Sequence, residues 1–175
     1  MVSRFVLKPA SQTIPGINAL IDSGRELGMK VIFTRVHHDD MARGIYPLLF
    51  PDHFKNGTPL LRNGTKVFQI SHMMNLRKGD LVVDKPRYSA FFKTKLEKYL
   101  RSNHIDTIIV VGLATNVCCE STVRDAFFRN FRSIVISDLN STYSPQLQRA
   151  SLKTMADCFA LVINSRQLQS ILANS

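Results

Sequence analysis

The chain is predicted to fold as a three-layer α/β/α domain around a mostly parallel sheet. Short, almost wholly apolar runs such as Thr107-Ile108-Ile109-Val110-Val111 recur along the sequence. Such runs mark strands buried on both faces. Segments with helical spacing stand between them and supply the crossovers that parallel strands require. A length of 175 residues suits one domain with a sizeable core.

The elements follow in order. Ile14, Ile17, Leu20, Ile21 and Leu27 recur at helical spacing, so Ile14 to Met29 reads as an amphipathic helix with Pro15 in its first turn. Lys30 to Val36 is a strand. A stretch rich in Pro, Gly and Asn runs from His37 to Gly79. A connection that long in a compact domain is functional or carries structure of its own. Leu81-Val82-Val83 is a short strand, Phe92 to Ser102 a helix, Thr107 to Val111 a strand and Asn116 to Asn130 a helix. Ser133 to Ile136 is a strand, Pro145 to Asp157 a helix, Phe159 to Ile163 a strand, and Arg166 to Ala173 a last helix. No repeat, linker or low-complexity tract interrupts the chain, so residues 1–175 read as one domain. Every later helix follows a strand but the first does not, so a strand is expected before Ile14.

Composition excludes several classes. No segment approaches the ~20 apolar residues of a membrane span. The start, Met1-Val2-Ser3-Arg4-Phe5-Val6, has no apolar core of signal-peptide length, so a cytoplasmic location away from membranes is expected. Three cysteines, two of them adjacent, do not make a disulfide framework. The formal charge is +10, but the 23 basic residues are spread out and do not form the interleaved aromatic pattern of a base-stacking surface. A nucleic-acid partner is therefore not expected. A basic surface that attracts small anionic substrates fits better.

Gly112-Leu113-Ala114-Thr115-Asn116-Val117-Cys118-Cys119-Glu120-Ser121-Thr122 follows one predicted strand and opens a helix. Cys118 thus lies where outward-pointing N–H groups and the helix dipole stabilise a thiolate and a neighbouring oxyanion. The plainer reading is a structural core cysteine. Sites in parallel sheets form at the C-terminal ends of strands. Lys85 and Cys118 both fall there, which favours function for Cys118.

This segment, with Val123-Arg124-Asp125-Ala126 after it, resembles the nucleophile motif of the isochorismatase-like cysteine hydrolases. Asp84-Lys85-Pro86-Arg87-Tyr88-Ser89-Ala90-Phe91-Phe92 resembles the lysine motif of the same superfamily, in its ureidoacrylate amidohydrolase version. The resemblance runs from about Ile14 to Asp138. It implies a Rossmann-like parallel sheet and an Asp–Lys–Cys working set. The Cys118 thiolate would attack a carbonyl carbon, Lys85 would favour the thiolate and hold the carboxylate, and the carboxylate would move protons. It also implies an oxyanion hole from the N–H groups of Ala114 and Cys118, with a cis peptide between Ala114 and Thr115. Family members open with a strand ending in Asp-Met-Gln-Asn-Asp-Phe or a close variant. Matched to that, Met1 and Phe5 leave the catalytic Asp immediately before Met1. A chain truncated at its N-terminus is therefore expected, with a degenerate family member as the alternative.

Other residues carry two readings each. Lys85 is otherwise an ordinary lysine at a strand end. Arg87 and Tyr88 read equally as substrate contacts or as packing groups. Asn116 orients substrate or caps its helix, and capping is the commoner role. Cys119 and Cys158 read as core. His37, His38, Asp39 and Asp40 invite a metal, as in nicotinamidases of the superfamily, but the Asp-x-His pattern is absent and adjacent side chains on an extended segment point opposite ways. No metal or other cofactor is expected, and His53 and His72 carry no supporting pattern. The expected function is cleavage of a C–N bond in a small ureido, carbamoyl or amide substrate. The alternatives are a non-catalytic protein on the same fold, or a nicotinamidase or isochorismatase. A homo-oligomer, dimer or tetramer, is implied by the resemblance.

Overall fold

A computed structural model describes residues 10–39, 45–57, 61–62 and 64–173. Met1 to Val6, which carry the expectation of a truncated start, lie outside these residues, as does Asp40.

Helix α1 (Ala10–Glu26) begins before Ile14, so Pro15 lies inside it rather than in its first turn. Strand β1 (Ile32–Val36) follows. The long connection does hold structure: a short helix α2 (Tyr46–Leu49) and 3-10 turns at Pro51–Gly57 and Lys66–Phe68. Strand β2 (Leu81–Lys85) extends past Val83 to include Lys85. Helix α3 (Leu96–Ser102) starts later than Phe92 because Lys93 takes a positive φ of 52°. Strand β3 (Thr107–Leu113) runs into a single π-helical turn, Thr115–Cys119, and then helix α4 (Glu120–Phe127).

Strand β4 (Arg132–Ser141) is longer than the apolar run predicts. Its far half pairs with β3 across an irregularity between Val110 and Gly112. The Asn140 amide donates to the carbonyls of Val110 and Ile136, so polar residues continue the strand there. Helix α5 (Pro145–Cys158) is capped by Ser144, whose hydroxyl accepts from the Leu147 N–H. Its end captures Phe159 and Ala160, which both donate to the Met155 carbonyl. That is why β5 (Leu161–Ile163) begins only at Leu161, before the last helix α6 (Ser165–Ala173).

Every strand pair is parallel. Apolar side chains alternate between the faces. One face carries Phe33, Val82, Ile109, Val111, Ile136 and Ile163, packed with Ile17 and Ile21 of α1 and Leu168 of α6. The other carries Ile32, Leu81, Val83 and Ile108, with Leu96 and Leu100 of α3 and Ala126 of α4. Val110, Val135 and Val162 continue that second face against Val123 and Met155. The three layers are thus helices, sheet and helices. Among the described residues the sheet is hydrogen-bonded in two parts, β1 with β2, and β3 with β4 and β5. No described helix is long and apolar enough to cross a membrane.

Ile136 is fully buried at the centre of the first face, whereas Leu161 is 52% exposed at the outer strand. Ile136→Ala should lower stability by about 2–5 kcal/mol in urea unfolding, through lost burial and a residual cavity. Leu161→Ala should change it by less than ~0.5 kcal/mol. Equal losses at the two positions would show that the core is not centred on β4.

Candidate active site

Lys85 closes β2 at the C-terminal edge of the sheet. Pro86 follows and holds Lys85 in an extended conformation. The side chain is 3% exposed, and its Nζ donates to the Tyr88 carbonyl at 2.6 Å. An ammonium buried this deeply needs acceptors or an anion close by. Arg87 lies on the same turn and donates from Nη1 to the Pro86 carbonyl at 2.7 Å.

Near the end of β3, where it pairs with Asn140 past the irregularity in the ladder, Gly112 takes a φ of +121° that belongs to glycine. A cis peptide follows between Leu113 and Ala114. It lies one bond earlier than the Ala114–Thr115 position the resemblance implies, at the junction where β3 ends at Leu113 and Ala114 leads into the π turn. The π turn comes next, a form often found at functional sites. The Ala114 carbonyl closes it by accepting from Val117 and Cys119 N–H groups at 3.1 and 3.2 Å.

The turn separates the two adjacent thiols. Cys118 is partly exposed, whereas Cys119 is buried in the core as expected. Burial pushes the Cys119 thiol up to about 12, the neighbouring Cys118 adds to the rise, and Lys85 opposes it. Lys85 therefore acts electrostatically on the cysteine turn. Cys158 is exposed, contrary to the core reading. It ends α5 facing outward, while Met155 takes the buried position on that helix.

Two hydroxyls join the two motifs. Thr122 donates to the Cys118 carbonyl at 2.7 Å and accepts from the Ala90 N–H at 3.0 Å. Ser89 next to it donates to Asp125, which also accepts from Arg129 at 2.8 Å. Thr115 is fully buried and donates to Gln148 at 2.7 Å. Asn116 does not cap the helix: it sits inside the π turn, where its Oδ1 accepts from the Thr142 hydroxyl. The carboxylates around the site are engaged with other partners: Asp39 with His37, Glu120 with Ser151 and Arg124, Asp125 with Ser89 and Arg129.

The long connection supplies an aromatic wall beside these groups. The Tyr46 ring lies 6.1 Å from that of Tyr88 and 5.0 Å from that of His38. Phe50 and His53 stack at 5.3 Å. Burial, then a hydrogen bond with Tyr46, raises the Tyr88 hydroxyl above its ordinary value, and the charge of Cys118 contributes. Burial and Cys118 likewise raise Tyr143. Both phenols therefore lie within electrostatic reach of Cys118. Tyr46, Tyr143 and Thr122 escape the sequence reading. Thr122 stands one helical turn after Cys118, a spacing that could have found it. Tyr46 and Tyr143 carry no such signal.

His37 and His38 do point apart. His37 faces Phe68 and pairs with Asp39 at 3.3 Å, while His38 enters the aromatic wall. His38 and His53 stack nearly parallel at 5.8 Å, an arrangement that does not converge their nitrogens on one ion. Among the described residues, no group of three His, Cys, Asp or Glu side chains is placed to hold a metal.

Fold and site together define a parallel α/β/α protein with a thiol and a buried ammonium at the C-terminal ends of its strands. The isochorismatase domain pattern matches residues 1–167, and the chain belongs to that hydrolase family. It is 32% identical to the ureidoacrylate amidohydrolase RutB of Serratia proteamaculans over 171 residues, covering 90% of this chain and 69% of that protein. It is 31% identical to Nicotinamidase 3 of Arabidopsis thaliana, covering 94% of this chain and 82% of that one. The crystal structure of a cysteine hydrolase from Pseudomonas syringae superposes with a TM-score of 0.82 at 30% identity, covering 93% of this chain and 80% of the other.

His38 sets a pH dependence. Burial, with His53 and His37 adding, lowers its pKa from 6.5 to about 4. The unfolded chain then binds more protons than the folded one between those values, so stability falls as pH drops from 6.5 towards 4. Thermal unfolding across that range should show a shallower decline for His38→Phe. An unchanged decline would assign it to other groups.

Proposed function

We propose that this protein is a cysteine amidohydrolase acting on a small ureido or carbamoyl compound. The observation that carries the reading is the partly exposed Cys118 thiol in its π turn, adjacent to Cys119, on which the buried Lys85 ammonium acts, and tied to the Lys85 segment through Thr122. A nearby ammonium favours the thiolate, the form that attacks a carbonyl. The attack forms the C–S bond, expels the amine with a proton, and leaves a carbamoyl or acyl thioester that water hydrolyses. For a ureido substrate, one water releases the amine and carbamate, which breaks down to ammonia and carbon dioxide. Developing oxyanion charge is met by backbone N–H groups of the turn, those of Ala114 and Cys118 by resemblance. Arg87, Tyr88 and Asn116 are proposed to orient the substrate. The +10 charge supports an acidic substrate such as a ureidoacrylate-type acid.

We further propose a homo-oligomer. Exposed Ile45, Leu48, Leu49 and Val67 on the long connection support a subunit contact.

A second reading rests on the carboxylates. Asp39, Glu120 and Asp125 are engaged away from Cys118 and Lys85. Proton transfer typically contributes ~10²–10⁴-fold to rate. A site whose described carboxylates are all engaged elsewhere therefore fits an impaired enzyme or a protein that binds a carbonyl ligand.

Ammonia release from a panel of ureido, carbamoyl and amide compounds tests both readings, using the chain alone and one extended upstream. Cys118→Ala and Lys85→Ala should each abolish turnover with unchanged circular dichroism, while Cys119→Ala keeps it. Turnover surviving in Cys118→Ala would overturn the nucleophile assignment. No release by either folded form would favour the binding reading.

A further inference from the structure

The N-terminal ends of β3, β4 and β5 meet at the edge of the sheet opposite Lys85 and Cys118. Thr107, Arg132 and Leu161 open these strands. Helix α4 ends there in Phe127, followed by Phe128, and Phe159 follows the end of α5 beside them. A groove of about 650 Å³ lies between Thr107, Phe127, Arg132, Ser133, Phe159 and Leu161. That is within the ~300–1,000 Å³ of small-molecule sites. Phe127 and Phe159 meet edge to face, with centroids 5.4 Å apart and planes at 88°. Phe128 packs against both rings yet stays 72% exposed. Large apolar groups gathered at a surface mark a place of binding.

The floor of the groove is polar. Ser133 stands two residues before Val135 on β4 and so shares its side of the sheet. It is 5% exposed, and its hydroxyl has no hydrogen-bond partner among the described residues. Buried hydroxyls are ordinarily partnered, and leaving one unpartnered costs free energy. The charges at the rim, by contrast, are matched. Arg132 pairs with Asp106. Arg124, whose guanidinium lies 4.4 Å from the Phe159 centroid, pairs with Glu120 at 2.7 Å. A charged ligand would have to compete with these pairs, whereas a neutral one leaves them intact.

We propose that this groove binds a neutral, flat aromatic compound carrying one polar N–H or O–H. Its ring packs against Phe127 and Phe159, and its polar hydrogen is donated to Ser133 Oγ, which has lone pairs to accept it. The site lies at the far edge of the sheet from Cys118 and does not rest on the proposed chemistry.

Indole is the probe. The chain has no tryptophan, so indole fluorescence excited beyond the tyrosine band reports on the ligand alone. Titrating the full chain into indole should give a saturable rise in polarisation. N-methylindole lacks the N–H and should bind about three- to tenfold more weakly. Ser133→Ala should weaken indole by the same factor and leave N-methylindole unchanged. Phe127→Ala should weaken both, whereas Tyr46→Ala, in the aromatic wall near Lys85, should weaken neither. Loss of binding in Tyr46→Ala but not in Phe127→Ala would place the ligand in the active site and overturn the proposal. Equal affinities for indole and N-methylindole, tighter binding of indole-3-acetate, or no saturable binding would overturn it too. So would a particle mass that doubles with protein concentration and stays single in Phe128→Ala, which would assign the rings to a second copy of the chain.

Discussion

Burial of both faces of every strand is the constraint on which the rest of this structure depends. It demands apolar residues at successive positions, and those residues fix which helices lie above and below. Parallel pairing then brings every strand's C-terminal end to one edge of the layer. Lys85 and Cys118 are 33 positions apart in sequence, yet both reach that edge because each follows an apolar run, Lys85 as the last residue of β2 and Cys118 in the turn after β3. Neither needs a dedicated element to carry it there.

Local geometry then decides which groups are chemically available. The π turn shifts the helix phase at the two cysteines, leaving one thiol at the surface of the turn and the other in the core. The Thr122 hydroxyl binds both the cysteine turn and the backbone after Ser89, so a displacement of one motif must move the other. The surrounding wall is built of aromatic rings, and burial disfavours the charged forms of His38 and Tyr88. Lys85 is a buried charge that acts on the cysteine turn, where it opposes the rise of the Cys119 thiol.

The layers and the two motifs were legible in the sequence because both rest on local patterns. Apolar runs such as Ile108 to Val111 announce buried strands, and Pro86 announces the turn after Lys85. Boundaries failed where tertiary or dihedral effects intervened. Asn140 carries β4 beyond its apolar run by satisfying two carbonyls, and Lys93 delays α3 through a positive φ. The role of Asn116 was misread because a capping argument assumes an α-helical first turn, and this turn is π-helical. Cys158 was misread because a cysteine at a helix end is placed by its helix face, which a local pattern assigns poorly at a junction. Tyr46 and Tyr143 reach the site from segments with no periodicity to announce them.

The Lys85 side chain also has an entropic consequence. A lysine free in solution samples many rotamers, and fixing one costs up to about 2 kcal/mol. Here packing and the Tyr88 carbonyl immobilise the ammonium when the chain folds. A ligand entering the site meets a charge already localised and spends none of its binding energy on ordering it. Dissolved ions also reach a group this enclosed poorly, so its field on the thiol is screened far less by salt than the field of the many surface lysines and arginines.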